Sequence, residues 1–288
     1  MDYKISIVIL LFFLSCTQPC HDSVTKNRQS TNNINQPYVV TLSEPTNTQN
    51  YIFITPLEQN EELKIKARVD VFYKEVKKAL SPEHAEKEPV TIEILPNEKQ
   101  FSEKTEKEKP EVLDKNSALY PAKRLILVYL NDEDAEPLLR AIFRNQTRLF
   151  IYKLTDKFPL WIEEGIVSFF EETVISDTGY RITGYSADKL EKLQTLIKTN
   201  ACPHFEELVK ITERSDFKEA HELVSWGFTY WAQMGSQSSS RIKIYKSYLR
   251  AILEKGAKNV NLEDYTKISM EEFENKWADW ILKQEVFK

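Results

Sequence analysis

The chain of 288 residues has only six glycines. That scarcity excludes the Gly-rich loops that cradle phosphates, and neither a G-x-G-x-x-G nor a Walker pattern is present, so nucleotide use is not expected. It also argues against an all-β sandwich with many tight turns. Cysteine is limited to Cys16, Cys20 and Cys202, with no C-x-x-C metal or redox pair. There are four histidines, His21, His84, His204 and His221, and none falls between His84 and His204. No two of them have the spacing of metal ligands on a helix. The G-x-S-x-G elbow of serine hydrolases is missing. No apolar run approaches the roughly 20 residues that span a bilayer. The net charge of −5 provides no general attraction to nucleic acid or anionic lipid.

What is present begins with MDYKISIVILLFFLSC, one lysine and then an apolar run from Ile5 to Leu14. This has the length of a secretory h-region that is cleaved off. The run ends in Leu14-Ser15-Cys16 and resembles the bacterial lipoprotein box, with Phe13 a loose fit at the outermost position. The resemblance implies a signal peptide over 1–15, lipidation of Cys16, and a cell-envelope location at a bacterial membrane. More than one acyl chain is needed for firm anchoring. Residues 16–49 are rich in Asn, Thr, Ser and Gln and read as a flexible tether. With Cys16 lipidated, Cys20 and Cys202 are left to pair in an oxidising compartment, although Cys20 sits in the tether.

The rest carries 15 Phe, 13 Tyr and 5 Trp, enough for a substantial core. YIFIT at 51–55 is a short β-rich run. In the following segment Ile65, Val69, Phe72, Val76 and Leu80 share one helix face. PVTIEIL alternates as a half-buried strand, and RLILVYL at 124–130 is a continuous apolar run, as expected of a central strand. Between them, 97–117 is so charged that it reads as an exposed loop with a helical turn. From Asp132 onward helices are expected near 134–154, 159–173, 187–198, 217–235, 239–255 and 270–285, with a hairpin or extended piece at 179–185. The fold class is α+β: an N-terminal α/β part over 50–130, with a small sheet and a helix, and a mainly helical part over 131–288. The two form one compact domain or two closely joined lobes.

The most informative stretch is PLWIEEGIVSFFEE at 159–172. At about 100° per residue, Trp161, Ile162, Gly165, Ile166 and Phe169 form one apolar face, and Glu164 lies outside it. A glycine inside a helix costs about 1 kcal/mol against alanine, so Gly165 points to close backbone packing. Without a metal, Glu164 reads as a solvated helix carboxylate.

Strand, helix, strand, strand, helix and then PLWIEEG resemble the peptidase-MA-like (gluzincin) metallopeptidases. ELVSWGFTYWAQM at 222–234 and MEEFENKWADWIL at 270–282 are similar to that family's later helices. The resemblance spans roughly 50–285 and implies a zinc site in which two histidines of an H-E-x-x-H helix and a carboxylate from the next helix bind the metal. By the family's usual spacing that carboxylate is Glu164, and the H-E-x-x-H positions fall on Phe143-Arg144-Asn145-Gln146-Thr147. Phenylalanine cannot ligate zinc and arginine cannot act as a carboxylate base.

The leading expectation is therefore a non-catalytic, lipid-anchored binding or assembly module with no cofactor. Its partners would be the membrane, through the lipid, and an extended peptide or envelope protein, bound by strand addition in a residual cleft. That cleft would involve Phe143, Gln146, Thr147, Glu164, Glu222 and Trp226. Gln146 stands out because it falls within the apolar stripe of Leu139, Ile142, Phe143, Leu149 and Phe150. Two alternatives stay open. One is an active hydrolase or zinc peptidase with an unconventional site built on Glu164, Glu222 and His221; the other is a purely structural surface lipoprotein. His221 and His204 each stand at a helix start, where a surface or capping role is the ordinary explanation.

Overall fold

The structure, a computed structural model, describes residues 51–80, 89–130, 135–154, 158–176, 179–234, 238–256 and 259–287. The expected signal peptide, Cys16, the tether, Cys20 and His84 lie outside the described residues. The fold is α+β, a small N-terminal sheet with helices followed by a mainly helical body.

The sheet has the order β1-β2-β5-β4-β3, formed by β1 (Tyr51–Ile54), β2 (Val90–Leu95), β3 (Val112–Leu113), β4 (Ser117–Tyr120) and β5 (Leu125–Tyr129). β1, β2 and β5 run parallel, while β4 is antiparallel to both β5 and β3. Alternation sorts the side chains. Val90, Ile92, Ile94, Ile126 and Val128 join the main core, while Leu127 and Tyr129 pack on the opposite face with Phe101, Ala118 and Tyr120. Covering both faces of β5 is what makes RLILVYL continuously apolar.

Helix α1 (Gln59–Leu80) buries Ile65, Val69, Phe72 and Val76 in the main core, as the spacing anticipates. The charged stretch 97–117 departs from the expected loop. It folds into helix α2 (Glu98–Glu108) and the strands β3 and β4. Asn97 caps α2 by accepting from the Gln100 amide at 3.0 Å, and Phe101 and Thr105 are its buried side chains. A helix that contributes so little to the core leaves a faint apolar period.

The helical body comprises α3 (Ala135–Leu154), α4 (Leu160–Glu171), a hairpin of β6 (Thr173–Ser176) and β7 (Gly179–Ile182), α5 (Ala187–Lys198), α6 (Phe205–Lys210), α7 (Glu219–Met234), α8 (Ser238–Lys255), α9 (Glu263–Thr266) and α10 (Met270–Leu282). α3 bridges the two parts: it packs on α1, β4 and β5 on one side and on α4 on the other. α4 starts at Pro159 and is central, with every residue from Leu160 to Phe170 buried. Among the described residues its contact with α7 is the largest between helices. Gly165 makes it possible, because a Cβ there would collide with the backbone carbonyl of Ser225 and stand 2.8 Å from Thr229 Oγ1. No helix among the described residues is long and apolar enough to cross a membrane.

Candidate functional site

Glu164 is not solvated; it is 3 % exposed. Helical periodicity correctly places it off the apolar face, but α4 is enclosed on its polar side as well. A bare carboxylate in that position would cost several kcal/mol, so the arrangement around it must supply positive charge. Three arginines do so. Arg144 Nη2 donates to Glu164 Oε2 at 2.7 Å, and Arg148 Nη2 donates to both oxygens at 3.0 Å. Arg214, from the loop between α6 and α7, donates through Nη1 to Oε1. Arg148 is itself 1 % exposed, and its Nη1 reaches Asp114, just after β3, at 2.5 Å.

The cluster extends on both sides of this centre. Arg144 Nη1 also donates to Glu171 at 2.8 Å, to Glu222 in the first turn of α7 at 2.7 Å, and to Ser168 Oγ at 3.2 Å. Ser168 in turn donates to Glu222 at 2.6 Å. Lys189 from α5 bonds Glu171 at 3.3 Å, and Arg140 pairs with Glu172 at 3.0 Å. On the other flank Tyr152 donates to Glu163 at 3.0 Å and accepts from Arg214 at 2.8 Å, while Arg214 also pairs with Glu163. Six carboxylates (Asp114, Glu163, Glu164, Glu171, Glu172, Glu222) thus face five cations (Arg140, Arg144, Arg148, Lys189, Arg214). Near neutrality is what makes so many buried charges tolerable.

The helix phase explains which residues meet. Arg144 and Arg148 are one turn apart on α3 and share the face toward α4. Phe143 and Thr147 precede them by one residue each and turn elsewhere. The Phe143 ring stacks on Phe72 with centroids 4.0 Å apart, and the Thr147 hydroxyl donates to the Phe143 carbonyl at 2.9 Å. Of the six residues expected to line a cleft, only Glu164 and Glu222 come together, joined by Arg144. Gln146 is on the far side of α3, about 160–200° around the helix from the two arginines. It is 2 % exposed, and neither of its amide atoms has a hydrogen-bond partner. Trp226 is a core residue: its indole donates to the Gly184 carbonyl at 2.8 Å and stacks on Tyr230. His221 accepts the Lys218 amide at 2.9 Å at the start of α7, and His204 pairs with Glu274 at 2.7 Å, so each has the surface role that its helix-start position suggests.

The α3 residues that face Glu164 therefore belong to an R-N-x-x-R stretch, Arg144 to Arg148, one residue later in the chain than the expected frame. Arginine holds no free lone pair at neutral pH, and both Glu164 oxygens already accept from guanidinium groups, so these residues do not fit a zinc ion. Among the described residues no three His, Cys, Asp or Glu side chains are placed to hold a metal. The Cys202 thiol is pushed up to about 12 by burial, then by Glu274, which leaves little thiolate for nucleophilic work. Sequence reasoning passed over Arg148, Asp114, Lys189 and Arg214. The available signal was R-x-x-x-R on a largely apolar helix shortly before two adjacent glutamates.

The charges make the site pH-sensitive. Burial would raise the Glu164 pKa, but Arg148, Arg144 and Arg214 overcome it and hold the group at about 2. Burial also opposes ionisation of Glu222, where Arg144 and Lys189 again win and lower it. Both carboxylates add stability above the ordinary glutamate range and lose it as the pH falls toward their folded values. Glu163 runs the other way: burial raises it despite Arg214, and its protonation on acidification relieves strain. The Glu163 effect falls above the ordinary value of 4.5, so below it the two lowered carboxylates set the sign, and stability should drop between about pH 4.5 and pH 2, the span between the ordinary and folded values of Glu164. Urea midpoints measured stepwise from pH 6 downward should fall more steeply for the wild type than for Glu164→Gln. Parallel curves would mean that Glu164 does not carry the dependence.

Comparison with protein-family models, with curated proteins and with solved structures finds no match to this chain.

Proposed function

We propose that the chain is a non-catalytic binding or assembly module of the cell envelope, held at a membrane by a lipid on Cys16, with a peptidase-like arrangement in which arginines have replaced the zinc site. One observation carries this reading: the pair at one-turn spacing that faces Glu164 is Arg144 and Arg148, each one residue beyond Phe143 and Thr147, where the resemblance to the gluzincins puts two histidines. Asn145 stands where that register calls for the glutamate base. An amide cannot take the proton of an attacking water as a carboxylate does. In place of a divalent cation, the guanidinium groups supply the positive charge that Glu164 needs. The partner is then recognised by surface and pocket, and an extended peptide or an envelope protein is the class that fits.

Metal analysis of the purified protein after equilibration with zinc tests the reading. The wild type is expected to retain far less than one zinc per chain. The triple substitution Arg144→His, Asn145→Glu, Arg148→His should gain stoichiometric zinc and lose it again when Glu164→Gln is added. Stoichiometric zinc in the wild type, removed by Glu164→Ala, would establish the alternative of an unconventional metallopeptidase.

A further inference from the structure

Arg214 differs from the other arginines of the cluster in what carries it. Arg144 and Arg148 belong to a buried helix. Arg214 opens a single 3-10 turn, Arg214–Asp216, that buries no residue. From Ile211 to Lys218 every residue is exposed or only half-buried. The turn is held to the body by the Arg214 side chain, by the half-buried Phe217 ring, which packs on the edge of the core and against His221 with centroids 5.6 Å apart, and by the Lys218 amide, which donates to His221 at 2.9 Å. Segments with so few buried contacts open at small free-energy cost.

Beneath this strap lies a complete guanidinium site. Arg214 Nη2 meets Glu163 Oε1 and the Tyr152 hydroxyl, while Nη1 meets Glu164 Oε1. The three acceptors suit a planar fork better than a single ammonium point charge. Once the strap lifts, Glu164 still has Arg144 and Arg148. Glu163 is left with the Tyr152 hydroxyl and with Arg148 Nε at 3.9 Å. The six carboxylates then face four cations, so the cluster is short of two positive charges where the closed form is short of one, and the added deficit lies at a defined place beside Glu163.

We propose that the strap is a displaceable plug, and that the site formed by Glu163, Glu164 and Tyr152 takes an arginine side chain of a partner polypeptide when Arg214 swings out. This rests on the reading of the region as a non-catalytic binding site and names the chemistry of its partner. The plug keeps the buried carboxylates paired while no partner is bound and makes binding conditional on opening.

Two measurements on the full chain test it. In the first, amide hydrogen exchange over 211–218 is followed with an acetyl-Ala-Arg-Ala-amide probe and with the same peptide carrying citrulline. The arginine peptide is expected to speed exchange there several-fold and the citrulline peptide to leave it unchanged; no difference between them overturns displacement. In the second, Arg214→Ala is titrated with methylguanidinium and with methylammonium at low millimolar concentration. Its melting temperature is expected to rise with methylguanidinium and much less with methylammonium, and the gain should vanish in Arg214→Ala/Glu163→Gln. Equal responses to the two cations overturn the site. Should Arg214→Ala fail to fold, the exchange experiment on the wild type still decides. A wild type that takes up zinc defeats the functional reading, whereas a zinc-free protein whose strap ignores arginine defeats only the plug.

Discussion

Glu164→Ala is expected to destabilise the protein by about 3–5 kcal/mol, the range seen when one partner of a buried ion pair is removed. The substitution deletes the acceptor shared by Arg144, Arg148 and Arg214. Arg214 is partly exposed and has Glu163 to fall back on. Arg148 has no comparable escape: it stays 1 % exposed, with Asp114 its closest remaining carboxylate. For a chain of this size the loss corresponds to a fall of about 10 °C or more in melting temperature. Glu164→Gln keeps the shape and one acceptor and should cost less. Replacing Glu164, Arg144 and Arg148 together by apolar residues of similar volume should cost less than Glu164→Ala alone, since no charge is then left stranded. Thermal or urea denaturation of the three variants checks the order. If Glu164→Ala loses under 1 kcal/mol, water reaches the cluster and screens it, and the arginines are not held there by Glu164.

The second large effect belongs to the neighbouring residue. Gly165→Ala should destabilise by about 1–3 kcal/mol even though alanine is the better helix former by about 1 kcal/mol. The obstacle is backbone: the new methyl would run into the Ser225 carbonyl, and Thr229 Oγ1 is 2.8 Å away. A carbonyl inside α7 cannot rotate aside, so α4 and α7 must separate along their whole contact. That shift would also move Glu164, the residue before Gly165 on α4, relative to Arg144 and Arg148 on α3. Gly227→Ala is a useful contrast, because its methyl would meet the side-chain ends of Leu193 and Trp277 and no backbone atom. A melting curve for Gly165→Ala that matches or exceeds the wild type would show that the two helices are not packed at this distance.

Both effects trace back to what was and was not legible in PLWIEEG. Gly165 was legible, because an interior helical glycine asks for a reason and close packing is the commonest one. The α3 stripe of Leu139, Ile142 and Phe143 was legible in the same way, and all three are buried. The residues of α3 that face Glu164 are Arg144 and Arg148, each one position beyond Phe143 and Thr147 of the expected frame. Family spacing counts positions along the chain, whereas contact is decided by helix rotation, and one residue turns a side chain by about 100°. Gln146 is a polar group in an apolar stripe, and it is buried, but on the opposite side of α3 from Glu164. β4 was invisible because SALY is too short to show a period, and all four of its residues are buried.

The sequence by itself determined the long helices and the strands β1, β2 and β5, which face of each long helix is apolar, and that no histidine pair exists to hold a metal between His84 and His204. These follow from short-range periodicity and residue chemistry. The tertiary structure alone decided whether the polar side of α4 meets water or protein, and which charges answer Glu164. Arg148, Arg144 and Arg214 stand 16, 20 and 50 residues from it along the chain. Periodicity reports the direction in which a carboxylate points. Only the packing of α3, α4 and the α6–α7 strap settles what lies in that direction, and in a medium of low dielectric constant that neighbour sets the charge, stability and binding chemistry of the site.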